Sequence, residues 1–384
     1  MPPATLRHPR ARSYTVLRTA HLERARDFRP ASILYGRRRY DFDPSLAEGL
    51  DLHPTSPPAV LTALLRNPRV TAVEVNEPLQ LDALPRSLAV VAAARLRKLR
   101  GRPLQVVSYA IENRDPFDRA ARAQLVRGAG AVTAAKRRVK LAGQLAGAQL
   151  LAASLDRLAF GTPGAESLYR RRLGPALRGV AQRTLPALPA PCTCPPRDRD
   201  ADRVLFVGAL HSRKGITQLL AAWPGVLAAR PSARLLVLGA GDLLPEVRDA
   251  AARPAVAGSV EVVVDPPRAE IHAAQRSASV AVLLSQRSPR WREQVGLPVV
   301  EGLAHGCAVV ASTETGLADW LAGHGHRVLD PDCGPELLAQ AVVAALTEGR
   351  SAGDVLGDLP AVDGRRTADE WLLPDEPAEH RADA

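Results

Sequence analysis

The second half of the chain alternates short apolar runs with amphipathic stretches, and that alternation constrains the fold more than any other feature. Runs at 204–207, 235–238, 260–264, 280–284, 308–311 and 327–329 have the length of buried strands. Helical patterns fill the intervals at 216–229, 243–252, 268–276, 298–305 and 335–346. Near-continuous apolar strands separated by helices predict a doubly wound, mostly parallel sheet, whose ligands bind beyond the carboxyl ends of the strands. The first half gives strands at 32–35, 70–75, 104–109 and 157–160 and helices at 88–99 and 116–126, which predicts a second α/β lobe. Between the halves runs LPALPAPCTCPPRDRD, whose five prolines exclude both helix and central strand. The expected organisation is a first α/β lobe over residues 1–185 and a Pro-rich linker over 186–202. A second α/β lobe is expected over 203–350. An acidic tail over 351–384 is expected to be partly loose, with room to pack back on the first lobe, and with a short helix at 367–372.

Charge divides along the same seam. Residues 1–190 carry a formal +18 and residues 191–384 carry −7, within a total of +11. A basic half joined to an acidic half points to an anionic partner for the first: phospholipid headgroups, nucleic acid or a charged substrate. Compositional bias weakens that inference, since 47 of the 51 cations are arginine. Basic clusters at 95–102 and 136–140 are read as solvated helix faces, with docking on an anionic membrane surface as the functional alternative. Nucleic acid is not an expected partner, because aromatic residues make up only 4% of the chain and stacking platforms are scarce. No run approaches the roughly 18 apolar residues of a membrane helix, and MPPATLRHPRARSY lacks the apolar core of a secretory signal. Four cysteines (Cys192, Cys194, Cys307, Cys333) do not make a disulfide framework, and Cys192-x-Cys194 lacks the common zinc spacing and a second pair. The expected location is cytoplasmic, extending to peripheral attachment on the inner membrane face.

Three loops lie where ligands of such a sheet would bind. In VGALHSRKG, Gly208 and Gly215 bracket a loop carrying Arg213 and Lys214. Glycines let backbone approach a ligand, and the two cations suit a phosphate. Lys214 is one of only four lysines, a compact point charge in an arginine-rich chain. The bland alternative is solvated cations at a helix start. LGAGD holds Gly239-x-Gly241 after a strand, but the third glycine of a dinucleotide fingerprint would fall at Leu244. That mismatch argues against nicotinamide or flavin and for a tight turn. In EQVGLPVVEGLAHGCAVVAS, Gly296 allows a sharp turn and Pro298 suits a first helical turn, so free amides near Gly296 and Leu297 would face an anion. Glu293 and Glu301 flank that position. Two carboxylates disfavour phosphate alone but accept hydrogen bonds from diols, so a sugar–diphosphate–ribose ligand fits. The alternative is a helix-capping Glu301 and a solvated Glu293.

In that order the motifs resemble the retaining glycosyltransferases of family 4. Their GT-B fold has two Rossmann-like lobes with doubly wound, mostly parallel sheets facing across a cleft. The resemblance covers about residues 203–346. The family's two glutamates, seven residues apart in a context like EGFGLPVLEAMA, are matched by Glu293-QVGLPVV-Glu301, with VLFVGAL, LLVLGAGD and VAVLLS upstream in the family's order. The resemblance implies a retaining, metal-independent transfer of a hexose from a nucleotide-diphosphate sugar to an unidentified glycan, lipid or small-molecule acceptor. It implies no cofactor. By it Glu301 holds the ribose hydroxyls and Glu293 those of the transferred sugar. Lys214 and Arg213 neutralise the leaving diphosphate, helped by the amides near Gly296 and Leu297, and Gly208 lies against the donor. A leaving phosphate oxygen would deprotonate the acceptor on the same face of the sugar. The alternative is a catalytically inactive nucleotide-sugar-binding protein or a basic membrane-surface adaptor.

The chain departs from the family at several points. Ala209 stands where an arginine is common, and Arg287, Arg290 and Arg292 are expected to replace its charge. A Gly-rich turn near the N-terminus is not evident. Where the family commonly carries a first-lobe histidine, SYAIENRDP offers Ser108, Glu112 and Asn113 as acceptor-side candidates. Asp41-Phe42-Asp43 has the D-x-D form of metal sites in the other large glycosyltransferase fold, but lies far from these motifs. His324-Gly325-His326 stands outside any recognisable metal-binding array.

Overall fold

The computed structural model describes residues 5–39, 42–128, 130–194, 198–288 and 291–374. They form two compact units, one comprising Met1–Pro186 and the segment from Arg365 onward, the other Ala187–Gly364.

The first unit is built on seven strands: β1 Arg10–Leu17, β2 Ser32–Arg38, β3 Leu52–Pro54, β4 Ala72–Val75, β5 Gln105–Ala110, β6 Arg157–Phe160 and β7 Ala181–Thr184. They lie in the order β3-β2-β1-β4-β5-β6-β7, and every pair is parallel. Strand residues such as Leu34, Val73, Val106 and Leu158 pack against Val60, Leu64, Val90 and Leu151 of the crossover helices. β1 has no apolar signature, because its sequence RARSYTVL carries charge inward. Arg12 is 1% exposed and ion-pairs with Asp369 at 2.5 Å and Glu74 at 3.4 Å. Arg365 also pairs with Glu74. Asp369 and Arg365 belong to the helix Gly364–Leu372, which brings Leu372 and Leu373 into full burial. The expectation for the tail is corrected in part: residues 351–374 are folded and not loose, while the short helix and its packing on the first unit are present, the helix starting three residues earlier than 367. The helix Ala352–Gly357 buries Val355 in the second unit, and Gly364–Leu372 supplies counter-charges to the first. Residues 375–384 lie outside the described residues.

The second unit holds β8 Asp200–Val207, β9 Arg234–Leu238, β10 Val260–Val263, β11 Ala278–Leu283, β12 Ala308–Ser312 and β13 Arg327–Leu329, in the order β10-β9-β8-β11-β12-β13. All are parallel, and they coincide with the six apolar runs. β8 begins inside the stretch expected to be linker, because Asp200 pairs in register with Ala278 of β11. Within the linker a disulfide joins Cys192 and Cys194, a bridge the sequence did not lead us to expect, while buried Cys307 and half-buried Cys333 remain free. Pro195 and Pro196 lie outside the described residues. The strand order of this sheet reverses between β8 and β11, so the loops leaving those two strands flank the position where open α/β sheets bind ligands. Among the described residues no helix is long and apolar enough to cross a membrane.

Candidate functional site

The loop after β8 is pressed against the end of β11. Gly215 has φ of 75°, and a Cβ there would stand 2.1 Å from the Leu284 carbonyl oxygen, so only glycine permits the approach. The Gln286 amide donates to the Arg213 carbonyl at 2.8 Å and ties the two loops together. The result places the Lys214 ammonium on the Glu293 carboxylate. Glu293 is 9% exposed, and its Oε2 also accepts from Ser285 Oγ at 2.9 Å. Trp291 adds an aromatic face: the Arg213 guanidinium lies 4.7 Å and Lys214 Nζ 5.0 Å from its ring centroid. Two cations are thus held at the switch point by one buried carboxylate and one indole.

Beside them starts the helix Leu297–Ala304. Gly296, at φ of 83°, makes its N-cap, Pro298 lies in its first turn, and that turn contains no acid. Leu297 is 47% exposed, so its apolar side chain faces solvent at the helix start. Thr315 Oγ1 donates to the Val295 carbonyl at 2.6 Å and anchors the turn. Glu301 lies in the second turn. Its Oε1 accepts from Arg268 Nη2 at 2.6 Å and its Oε2 from Gln275 Nε2 at 2.9 Å. It caps nothing, because its carboxylate faces the helix Arg268–Ser277 instead of the free amides. The helix start keeps its positive dipole and the Leu297 amide with no side-chain carboxylate in its own first turn, whereas Pro298 has no N–H and the Val299 and Val300 amides donate to the Gly296 carbonyl at 2.9 and 3.1 Å. Gly208 is half-buried and adjoins Gly239, where a Cβ would lie 1.9 Å from the Gly208 oxygen. The two glycines let neighbouring strand ends pack, so LGAGD is a tight turn.

The basic loop does something other than replace the charge missing at Ala209. Arg287 and Arg292 both pair with buried Glu314, at 2.9 and 3.0 Å. Arg290 lies outside the described residues, as does Asp41 of the D-x-D triplet. Asp43 of that triplet caps a short turn by accepting from the Ser45 amide at 2.9 Å. His324 Nδ1 bonds the Trp320 carbonyl at 2.8 Å, and burial lowers His326 to a pKa of about 4, so the pair serves packing.

In the first unit the three acceptor-side candidates separate. Ser108 is fully buried and donates to the Val75 carbonyl at 3.2 Å, which makes it part of the sheet and withdraws it from any ligand role. Asn113 is 8% exposed. Glu112 is half-buried, and its Oε1 accepts from the Arg114 amide at 2.9 Å. The chemistry at this strand end belongs to Glu77, which sequence reasoning passed over. Its Oε2 accepts from the amides of Ile111 and Glu112, at 3.1 and 3.0 Å, and from Tyr169 OH at 2.8 Å. Burial, reinforced by the neighbouring Glu112 charge, raises its pKa to about 8. In the cluster at 95–102, Arg97 is buried and bonds the carbonyls of Val70, Pro68 and Arg102 at 2.7, 3.0 and 3.1 Å, so it is structural. The cluster at 136–140 is exposed on the helix Ala131–Ala152.

Sequence reasoning also missed Ser285, Trp291, Arg268 and Gln275. Trp291 left a signal, one of four tryptophans placed two residues before Glu293. Arg268 and Gln275 are seven apart on one helix and so share a face, but nothing local names their partner.

Residues 201–348 match the family model for glycosyl transferases group 1. The chain is 35% identical over 147 residues to a D-inositol 3-phosphate glycosyltransferase of Segniliparus rotundus, covering 37% of this chain and 31% of that protein. It is 33% identical over 153 residues to a phosphatidyl-myo-inositol mannosyltransferase of Mycobacterium tuberculosis, covering 38% of this chain and 39% of the relative. The match therefore spans about a third of these relatives' length. Among solved structures, HepE of Anabaena in complex with UDP and glucose superposes with a TM-score of 0.58 at 12% identity, over 94% of this chain and 95% of that one. The fold is GT-B, two α/β units on parallel sheets.

Proposed function

We propose that this chain is a glycosyltransferase that moves a hexose from a nucleotide-diphosphate sugar to an acceptor with retention of configuration. The observation that carries the reading is the convergence of Lys214, Arg213 and Glu293 at the switch point of a glycosyl transferases group 1 domain, next to the start of the helix Leu297–Ala304. A diphosphate at that position meets two cations and a helix dipole. As the bond between sugar and phosphate breaks, charge grows on the leaving oxygen, and Lys214 exchanges part of its pairing with Glu293 for that oxygen. Glu293, held by Ser285, is left to accept hydrogen bonds from sugar hydroxyls, and Glu301 to accept those of the ribose. These groups supply the neutralisation that a divalent ion supplies in other transferases, so the reading needs no metal. With donor and acceptor on one face of the sugar, the leaving phosphate oxygen takes the acceptor's proton. The UDP bound to the neighbour of similar fold supports a nucleoside diphosphate as leaving group. The expected site of action is the cytoplasm, at an anionic membrane surface reached through the basic helix Ala131–Ala152.

The test is donor hydrolysis and thermal shift across a panel of nucleotide sugars, with the wild type and Lys214→Ala. One donor should raise the melting temperature, by about 2.7 kcal/mol of stability at a hundredfold excess over its dissociation constant. Lys214→Ala should lower kcat more than it weakens donor binding, because the cation acts on charge that develops in the transition state. No stabilisation by any nucleotide sugar or nucleoside diphosphate would sink the reading, and an unchanged kcat would remove Lys214 from it.

A further inference from the structure

The segment entering the second unit carries two cysteines that approach a buried histidine. The ligand atoms of Cys192, Cys194 and His305 all lie within 4.8 Å of one another, and His305 is 7% exposed. The cluster is built from both sides. The Cys192 amide donates to the Ala304 carbonyl at 2.7 Å, which fixes the cysteine segment to the end of the helix Leu297–Ala304. His305 Nδ1 lies 2.7 Å from the Glu301 carbonyl oxygen, which can only accept, so Nδ1 carries the proton and the lone pair of the neutral ring is on Nε2. A metal-ligating imidazole is held in its tautomer in this way. The Cys194 amide points at Cys192 Sγ at 3.3 Å, a donor that favours thiolate over thiol. His272 Nδ1 stands 3.5 Å from His305 Nε2, outside the group formed by the two sulfurs and His305.

The two sulfurs are joined as a disulfide, and a disulfide cannot coordinate through thiolates. We propose that reduction of Cys192 and Cys194 opens a binding site for one zinc-class ion, held by both thiolates and His305, with water in fourth place. A dithiol reductant delivers two electrons and two protons. The S–S bond breaks, two thiols form, and the reductant becomes its own disulfide. The ion then displaces the two thiol protons to solvent. Two soft thiolates with one imidazole select a zinc-class ion over magnesium or calcium. The C-x-C spacing is tighter than the usual zinc pair, and the third ligand comes from a helix end more than a hundred residues away. Bound there, the ion would clamp the entering segment to the helix that carries Glu301, so redox state would set the stiffness of one wall of the proposed donor site. The metal site itself stands whether or not the chain transfers sugar.

Cobalt(II) titration of the full chain tests it. The protein is reduced with a phosphine, freed of reductant without air, and its thiols are counted. Reduced wild type should bind one cobalt per chain, with thiolate-to-cobalt absorption in the near ultraviolet and visible bands of a tetrahedral site. Zinc should abolish both. The oxidised protein should show neither. Cys192→Ser and Cys194→Ser should each lose the thiolate band or weaken cobalt affinity at least tenfold, with His305→Gln as a further check, while Cys333→Ser behaves as wild type. Circular dichroism on each variant separates loss of the site from loss of the fold. Reduced wild type with four free thiols and no thiolate–cobalt band would overturn the proposal. So would a band that survives in both Cys192→Ser and Cys194→Ser, since the ion would then sit on Cys307 or Cys333, or a disulfide that resists reduction in the folded chain.

Discussion

Glu301→Gln separates a ligand-binding carboxylate from one that only braces two helices. The substitution keeps volume and shape but replaces a double acceptor by one acceptor and one donor. In the ligand-free protein its cost is small. The pair with Arg268 is 20% exposed on the Glu301 side and 47% on the other, and such partly solvated pairs contribute at most about 1 kcal/mol. The bond to Gln275 survives by rearrangement. Gln275 is fully buried and its Oε1 lacks a partner among the described residues, so a flip of its amide lets that oxygen accept from the new NH2. Folding stability should therefore change by less than about 1 kcal/mol. Donor binding should change much more. A charge-assisted hydrogen bond to a ribose hydroxyl contributes roughly 1.5–3 kcal/mol, so affinity should fall about 10- to 100-fold. The ribose is remote from the breaking bond, so KM should rise far more than kcat falls. Arg268→Ala gives the control: it removes the surface pair, keeps the carboxylate, and should leave donor affinity within about threefold. Calorimetric titration of UDP into the three proteins, with melting curves alongside, reads both quantities. Undiminished UDP affinity in Glu301→Gln would refute ribose binding by this residue.

Two further outcomes follow from the first unit. Glu77 titrates near 8 in the folded protein, above the ordinary carboxylate range, so the native state holds a proton that the unfolded chain has released. Stability should fall as pH rises from that range towards 8, by up to about 1.4 kcal/mol per pH unit. Glu77→Gln, which can still accept from both amides and Tyr169, should flatten this slope in urea melts, and parallel slopes for the two proteins would exclude Glu77 as its source. The helix Ala131–Ala152 exposes Val132 and Val139, 70% and 73%, beside the cations at 136–140. Vesicles containing anionic lipid should bind the protein, less so at high salt, and equal binding to neutral vesicles would remove the electrostatic argument.

What the sequence discloses depends on whether a residue's surroundings are local. The inner strands β8, β9, β11 and β12 of the second unit are legible because their apolar runs reach both faces, as a sheet covered by helices requires, while the edge strands β10 and β13 show through shorter apolar runs beside exposed Glu261 and Arg327. β1 is illegible for the opposite reason: Arg10 and Arg12 point into the interior, and the acid that makes this tolerable for Arg12 lies 357 residues away. β7 gives no pattern either, since all four of its residues are exposed at the sheet edge. At the site, Lys214 and Glu293 are legible through their glycines and spacing. Ser285 is not, because a serine after a strand has many uses. Neither are Arg268 and Gln275, whose relevance exists only once their helix lies beside Glu301.

The helix Gly364–Leu372 gives the order in which the chain can mature on the ribosome. Every strand of the second unit has been synthesised before Arg365 appears, so that unit can close while the first still lacks Asp369 for Arg12. Until then a desolvated guanidinium has only part of its counter-charge, a state that costs several kcal/mol by the measure of broken buried pairs, about 3–5. The half of the protein that emerges first is therefore completed last. A nascent chain stopped just short of residue 365 should expose its amino-terminal half to protease, and one released after residue 374 should not.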